Sequence, residues 1–131
     1  MINILVVDDM EMVRSALEIV LKRYPDVGQV FFCTDGDEVL PFIQASNDKI
    51  DLIIMDISMK RMDGLSATKQ VKEVFPNLPV IILSMHDEET YFKKAQEVNA
   101  SAFILKNSAG SHIYRVIDEV RSGKRYFERG N

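Results

Sequence analysis

A single cysteine in 131 residues excludes an internal disulfide and any metal site built from several thiolates. That residue, Cys33, lies in the run VFFC and reads as a small buried hydrophobe. No apolar run approaches the roughly 20 residues that a membrane-spanning helix needs, and no basic segment leads into an apolar one at the N-terminus, as a secretory signal would. A cytoplasmic protein without a membrane partner is expected. Positive charge is also in short supply: 16 Lys and Arg face 20 Asp and Glu, for a net charge of -4. The only local basic run is Arg121 to Arg129, which argues against a nucleic-acid surface, since phosphate binding needs clustered cations. The chain also lacks internal repeats, low-complexity stretches and any linker before the tail SGKRYFERGN. With 47% hydrophobic residues, one domain with an adequate core is expected, and a second has no room.

What is present is a regular alternation. The run ILVV, Ile4 to Val7, is continuous and rich in β-branched residues, which reads as a strand buried on both faces. Val13, Ala16, Leu17, Val20, Leu21 and Tyr24 then recur at helical spacing until Pro25. QVFFC, DLIIMD, VIILS and AFILK supply four more strands, with helical patterns at about Gly36–Ser46, Ser66–Phe75 and Glu88–Asn99 and a last helix carrying Ile113, Val116, Ile117 and Val120. Five βα units imply an α/β fold: a doubly wound, flavodoxin-like (βα)5 sandwich with parallel strand order 2-1-3-4-5.

That order brings Asp8, Asp9 and Asp56 to the crevice where strands 1 and 3 are neighbours, with Ser84 and Lys106 ending strands 4 and 5 at the same edge. Three close carboxylates repel unless a cation or proton intervenes, and hard oxygen ligands suit magnesium. With Asp8 and Asp9 holding Mg2+, Asp56 is placed to act as a nucleophile, because carboxylates form acyl phosphates. Lys106 would neutralise a transferred phosphoryl group and the Ser84 hydroxyl would bond one of its oxygens. Taken singly, each has a plainer role: Asp9 and Ser84 as helix caps, Lys106 as a solvated side chain. Their joint position at the ends of four strands is what points to chemistry.

The segments VVDD, IIMDISMKRMDG, ILS and FILK together resemble the receiver domain of two-component response regulators, over essentially the whole chain. The resemblance implies Asp56 as phosphoacceptor, magnesium bound by Asp8, Asp9, Asp56 and the backbone carbonyl of Ser58, and Lys106 in contact with the phosphoryl group. It implies Ser84 as the switch hydroxyl and Phe103 as the aromatic that changes rotamer on activation, although Phe103 also reads as plain core. Three residues depart from the pattern. Lys60 stands where proline is usual after the acceptor strand, which predicts a less rigid turn. Asn107 replaces a proline after Lys106, so a trans bond is expected, since cis costs a non-proline residue about 3–4 kcal/mol. Met85 stands where a small residue is usual and would lie across the path to Asp56, with Ser58 and His86 flanking the site; packing beside the fourth helix is its other reading.

FILKNS and VRSGKRYF resemble receivers that precede a LuxR/NarL-type helix-turn-helix domain. The expected organisation is a receiver over residues 1–122, then a tail or linker over 123–131 leading to an output domain through which DNA would be bound; a free-standing receiver acting by protein contact is the alternative. The resemblance implies a sensor histidine kinase as partner and a phosphorylation-promoted homodimer, through the first and fifth helices or the fourth helix, fifth strand and fifth helix. Tyr114, Asp118 and Arg121 would offer a mixed outer face on the last helix. The protein is then a signalling module and not an enzyme, apart from self-phosphorylation and autodephosphorylation. Two other classes remain. An aspartate-nucleophile phosphohydrolase of the haloacid-dehalogenase kind resembles D-x-D on the first strand with a large cap, whereas here the acids are adjacent. A flavin or dinucleotide carrier needs a glycine-rich phosphate loop after that strand, which this sequence does not have.

Overall fold

The computed structural model describes residues 1–85 and 89–128, the Ser108 side chain excepted. Strands β1 (Ile2–Val7), β2 (Val27–Cys33), β3 (Leu52–Asp56), β4 (Val80–Ser84) and β5 (Ala102–Leu105) alternate with helices α1 (Glu11–Lys22), α2 (Val39–Ala45), α3 (Gly64–Val74), α4 (Glu89–Glu97) and α5 (Lys106–Arg121). A sixth strand, β6 (Tyr126–Phe127), follows α5. All pairs are parallel and the order is β2-β1-β3-β4-β5-β6.

The central strands β3 and β4 are buried at every position, as strands covered on both faces must be. Alternate residues feed two cores. Ile4, Val6, Ile54, Ile81 and Ile104 meet Leu17 and Leu21 of α1 and Ile113, Val116 and Ile117 of α5. Leu5, Val7, Ile53, Met55 and Ile82 meet Leu65 and Val71 of α3 and Phe92 and Ala95 of α4 on the opposite face. Period two in the strands and the i, i+3, i+4 spacing of α5 are thus satisfied together. Pro41 fits within α2 because it occupies the first turn, where amides have no partner inside the helix.

The sheet therefore has one strand more than the sequence predicted. Helix α5 ends in a Schellman turn: the Gly123 amide donates to the Val120 carbonyl at 3.0 Å and the Lys124 amide to the Glu119 carbonyl at 3.0 Å. Gly123 takes φ +88°, which glycine adopts without steric cost. The chain is thereby turned back along β5, where Tyr126 pairs with Ala102 and Phe127 with Phe103. A second difference lies at Lys106, which opens α5 where the sequence predicted the end of a strand. No peptide bond among the described residues is cis, including Lys106–Asn107. No helix among them is long and apolar enough to cross a membrane.

Candidate phosphoryl-transfer site

The parallel register delivers the side chains of the site. Val7 pairs with Met55 and Asp56 with Leu83, while Ser84 pairs with Leu105. Asp8, Asp56, Ser84 and Lys106 therefore emerge at one edge of the sheet, as their positions at the ends of apolar runs predicted. Asp8 is 1% exposed and Asp56 5%, and Asp9 stands in solvent. Carboxylate oxygens of these three lie within 4.8 Å of one another, close enough to share a metal ion.

Lys106 joins them. Its Nζ lies 3.1 Å from Asp8 Oδ2 and 3.0 Å from Asp56 Oδ1, with the lysine side chain only 17% exposed. Burial pushes the Asp56 carboxyl above its ordinary pKa, and the charge of Asp8 adds to this, against the opposing pull of Lys106. Burial alone would lower the Lys106 ammonium, but its hydrogen bonds and charge contacts with Asp56 and Asp8 outweigh that and raise it. One cation facing two buried carboxylates leaves an excess negative charge, which a divalent ion would neutralise.

Further contacts fix Asp8. Its Oδ1 accepts the Met10 amide at 2.9 Å and its carbonyl accepts Arg14 at 2.7 Å. The N-cap of α1 is Met10, without a side-chain cap, so capping is not what Asp9 does. Ser84 ends β4 fully buried. Phe103 is also buried, facing inward, and meets Phe92 edge-on with ring centroids 5.8 Å apart; Phe92 meets Phe127 of β6 at 5.5 Å. Met85 is 77% exposed and lines a pocket of about 290 Å³ with Ser84, Leu105, Lys106 and Asn107. It is therefore not packed away beside α4. His86 lies outside the described residues. Cys33 is buried, and burial with the Glu38 charge pushes its thiol up to about 12.

Two features were missed from sequence. Gly64 lies so close to the acceptor strand that a Cβ there would come within 1.9 Å of the Asp56 carbonyl oxygen, a contact only glycine permits. Asp35, buried after β2, accepts the backbone amides of Lys60, Arg61 and Met62. The turn that lysine at position 60 was expected to loosen is thus fastened from a neighbouring loop. The dipeptides Asp35-Gly36 and Asp63-Gly64 were the available signals, although neither discloses its long-range partner. The outer face expected on α5 is also committed internally: Tyr24 donates to Asp118, Tyr114 donates to the Val20 carbonyl, and Arg121 donates to Asp26 at 3.2 Å.

Comparison with known proteins agrees with this fold. The family model of the response regulator receiver domain matches residues 4–118. The response regulator protein VraR of Staphylococcus saprophyticus is 34% identical over 127 residues, covering 97% of this chain and 60% of that protein. Response regulator UvrY of Escherichia coli K12 is 29% identical over 126 residues, covering 96% of this chain and 57% of that one. The chain thus spans somewhat over half the length of these curated relatives. Among solved structures, a two-component response regulator of the LuxR family from Aurantimonas shares the fold with a TM-score of 0.87, at 24% identity, covering 95% of this chain and 87% of that one. The isolated receiver domain of RcsB from Salmonella enterica matches with a TM-score of 0.86 at 21% identity, over 98% of this chain and 93% of that one. With a family match across most of its length and a relative 34% identical over 97% of it, the chain belongs to the response regulator receiver domain family.

Proposed function

We propose that Asp56 accepts a phosphoryl group from a sensor histidine kinase and that the resulting acyl phosphate changes the surface built by β4, β5 and their helices. The observation that carries this is the Lys106 ammonium placed between Asp56 and Asp8, 3.0 and 3.1 Å away, beside a third carboxylate. An Asp56 oxygen attacks phosphorus while the bond from phosphorus to the donor nitrogen breaks, and the electron pair leaves with the imidazole. Asp56 must be unprotonated for this; the Lys106 ammonium favours that form, while burial and the Asp8 charge leave the carboxyl above its ordinary pKa. Asp8, Asp9, Asp56 and the carbonyl of Ser58 would hold Mg2+, and a hard oxygen donor set with one solvent-facing acid fits that ion. Bound there, magnesium would offset charge on the phosphoryl oxygens. Lys106 and the Ser84 hydroxyl would bind two of those oxygens.

Ser84 moving toward the phosphoryl group would let the Phe103 ring respond, a local event biasing a two-state surface. The relatives' greater length supports a receiver that precedes a DNA-binding output domain, working in the cytoplasm and regulating transcription. Of the two proposed homodimer routes, the one through β5 must accommodate β6, which lies along that strand's edge. Met85, Ser58 and His86 would tune access to Asp56. The experiment is labelling with acetyl phosphate and magnesium followed by mass mapping. One phosphoryl group on Asp56 and none on Asp56→Asn is expected; equal labelling of the variant would contradict it. Catalytic phosphate release from a phosphomonoester would favour the hydrolase instead.

A further inference from the structure

We propose that Asp35 is a positioning residue for the phosphoacceptor site, its carboxylate fixing the turn between β3 and α3 in the way that a proline at position 60 would otherwise do. The inference rests on the reading of Asp56 and the Ser58 carbonyl given above. Asp35 is 2% exposed. Its Oδ2 accepts the Lys60 amide at 3.2 Å and the Arg61 amide at 3.1 Å, and its Oδ1 accepts the Met62 amide at 2.9 Å.

Three successive amides aimed at one group form a concave nest suited to an anion. Proline has no N–H, so the Lys60 donor exists because residue 60 is not proline. A buried carboxylate is costly unless its ionised form is hydrogen-bonded. Here burial opposes ionisation, but the amides of Met62 and Arg61, with the Arg61 charge and the Asp37 amide, together outweigh it and hold Asp35 below its ordinary pKa.

Neighbouring contacts seat the two loops together. A Cβ on Gly36 would come within 2.3 Å of the Met62 carbonyl oxygen. Arg61 donates to both Asp37 oxygens, at 2.7 and 3.0 Å, and to Glu38 at 3.0 Å. These pairs are largely solvent-facing and contribute little on their own. At its other end the turn is tied where the Gly64 amide donates to the Ile57 carbonyl at 2.8 Å. Residues 57–63 are thereby held from both sides, with Ser58 between the fixed points. Losing the Asp35 carboxylate would free the side opposite Asp56 and blur the position of the Ser58 carbonyl.

The test is a double-mutant cycle read by NMR. Magnesium titration and amide exchange of residues 57–62 are measured for the wild type, Asp35→Ala, Asp35→Asn, Lys60→Pro and the double variant Asp35→Ala/Lys60→Pro. Asp35→Ala is expected to weaken magnesium binding about tenfold, the lower range for residues that orient metal ligands. It should also speed exchange at Lys60–Met62. Asp35→Asn keeps an acceptor oxygen and should recover part of both. Lys60→Pro should weaken magnesium binding in the wild type, where it removes a donor, and strengthen it in Asp35→Ala, where a fixed φ replaces the lost fastening. A general loss of stability would not produce that reversal of sign. Unchanged affinity and exchange in a folded Asp35→Ala, or the same sign for Lys60→Pro in both backgrounds, would overturn the proposal. Should Asp35→Ala not fold, Asp35→Asn decides alone: faster exchange at Lys60–Met62 with weaker magnesium binding than wild type is expected, and values unchanged from wild type would overturn the proposal. A wild type that binds no magnesium would defeat the reading of the site instead, while exchange at Lys60–Met62, measured without metal, still decides whether Asp35 fixes the turn.

Discussion

The two halves of the site are held by different forces. On the β1–β3 side, Asp8, Asp56 and Asp35 are fixed by charge and by directed hydrogen bonds: Lys106 to two carboxylates, Met10 to Asp8, three amides to Asp35. On the β4–β5 side, the stack Phe103, Phe92 and Phe127 is held by edge-on ring contacts and burial. Directed bonds fail when geometry shifts by a few tenths of an ångström, whereas packed rings can exchange one arrangement for another. The first half is suited to hold reacting atoms and the second to register the result.

The packed half breaks most dramatically. Phe92 touches both Phe103 and Phe127, so Phe92→Ala is expected to cost about 3–5 kcal/mol, the usual range for a buried aromatic. Urea denaturation measures it, and a cost below about 1 kcal/mol would mean that the stack is not a structural unit. On the charged half, Lys106→Met leaves two buried carboxylates facing each other and should cost about 3 kcal/mol in EDTA, as removal of one partner from a buried pair does. Magnesium should restore much of that loss. Absence of restoration would place the metal elsewhere.

Asp56→Asn should act in the opposite direction. A carboxyl whose folded pKa lies above its unfolded value of about 3.9 contributes stability below that value and loses it as pH rises through the folded pKa. Ionised Asp56 is therefore a cost to the metal-free protein at neutral pH. In EDTA the variant should melt about 3–6 °C higher than wild type near pH 7, the response to roughly 1 kcal/mol, with the gap closing as pH falls toward 4. A gap that widens on acidification would reverse the sign. The smallest effect is expected at Met85, whose exposed side chain lines the pocket beside Ser84 and Lys106. Met85→Ala should speed both phosphorylation by acetyl phosphate and loss of the phosphoryl group by a few-fold, with magnesium affinity unchanged; unchanged rates would leave Met85 without a role in access.

Continuous runs such as ILVV and VIILS disclosed the buried strands because burial on both faces removes alternation. Asp8, Asp56, Ser84 and Lys106 were legible for the same reason, each standing where such a run stops. β6 was not, because two residues are too short for any periodicity and its pairing depends on the turn at Gly123. Asp35 was not legible either. Its partners lie 25 to 27 residues away, and a single sequence records composition along the chain without recording which loops meet. Tyr114 and Arg121 looked available to a partner for the same reason, although Val20 of α1 and Asp26 in the loop after it already occupy them.

The most direct test of this division of labour is amide hydrogen exchange across the whole chain with magnesium, with and without beryllofluoride as a phosphoryl mimic. Exchange at Lys60–Met62 should stay protected and unchanged, while protection around Phe92, Phe103 and Phe127 shifts. A response confined to Lys60–Met62, with the aromatic stack unaltered, would contradict the account.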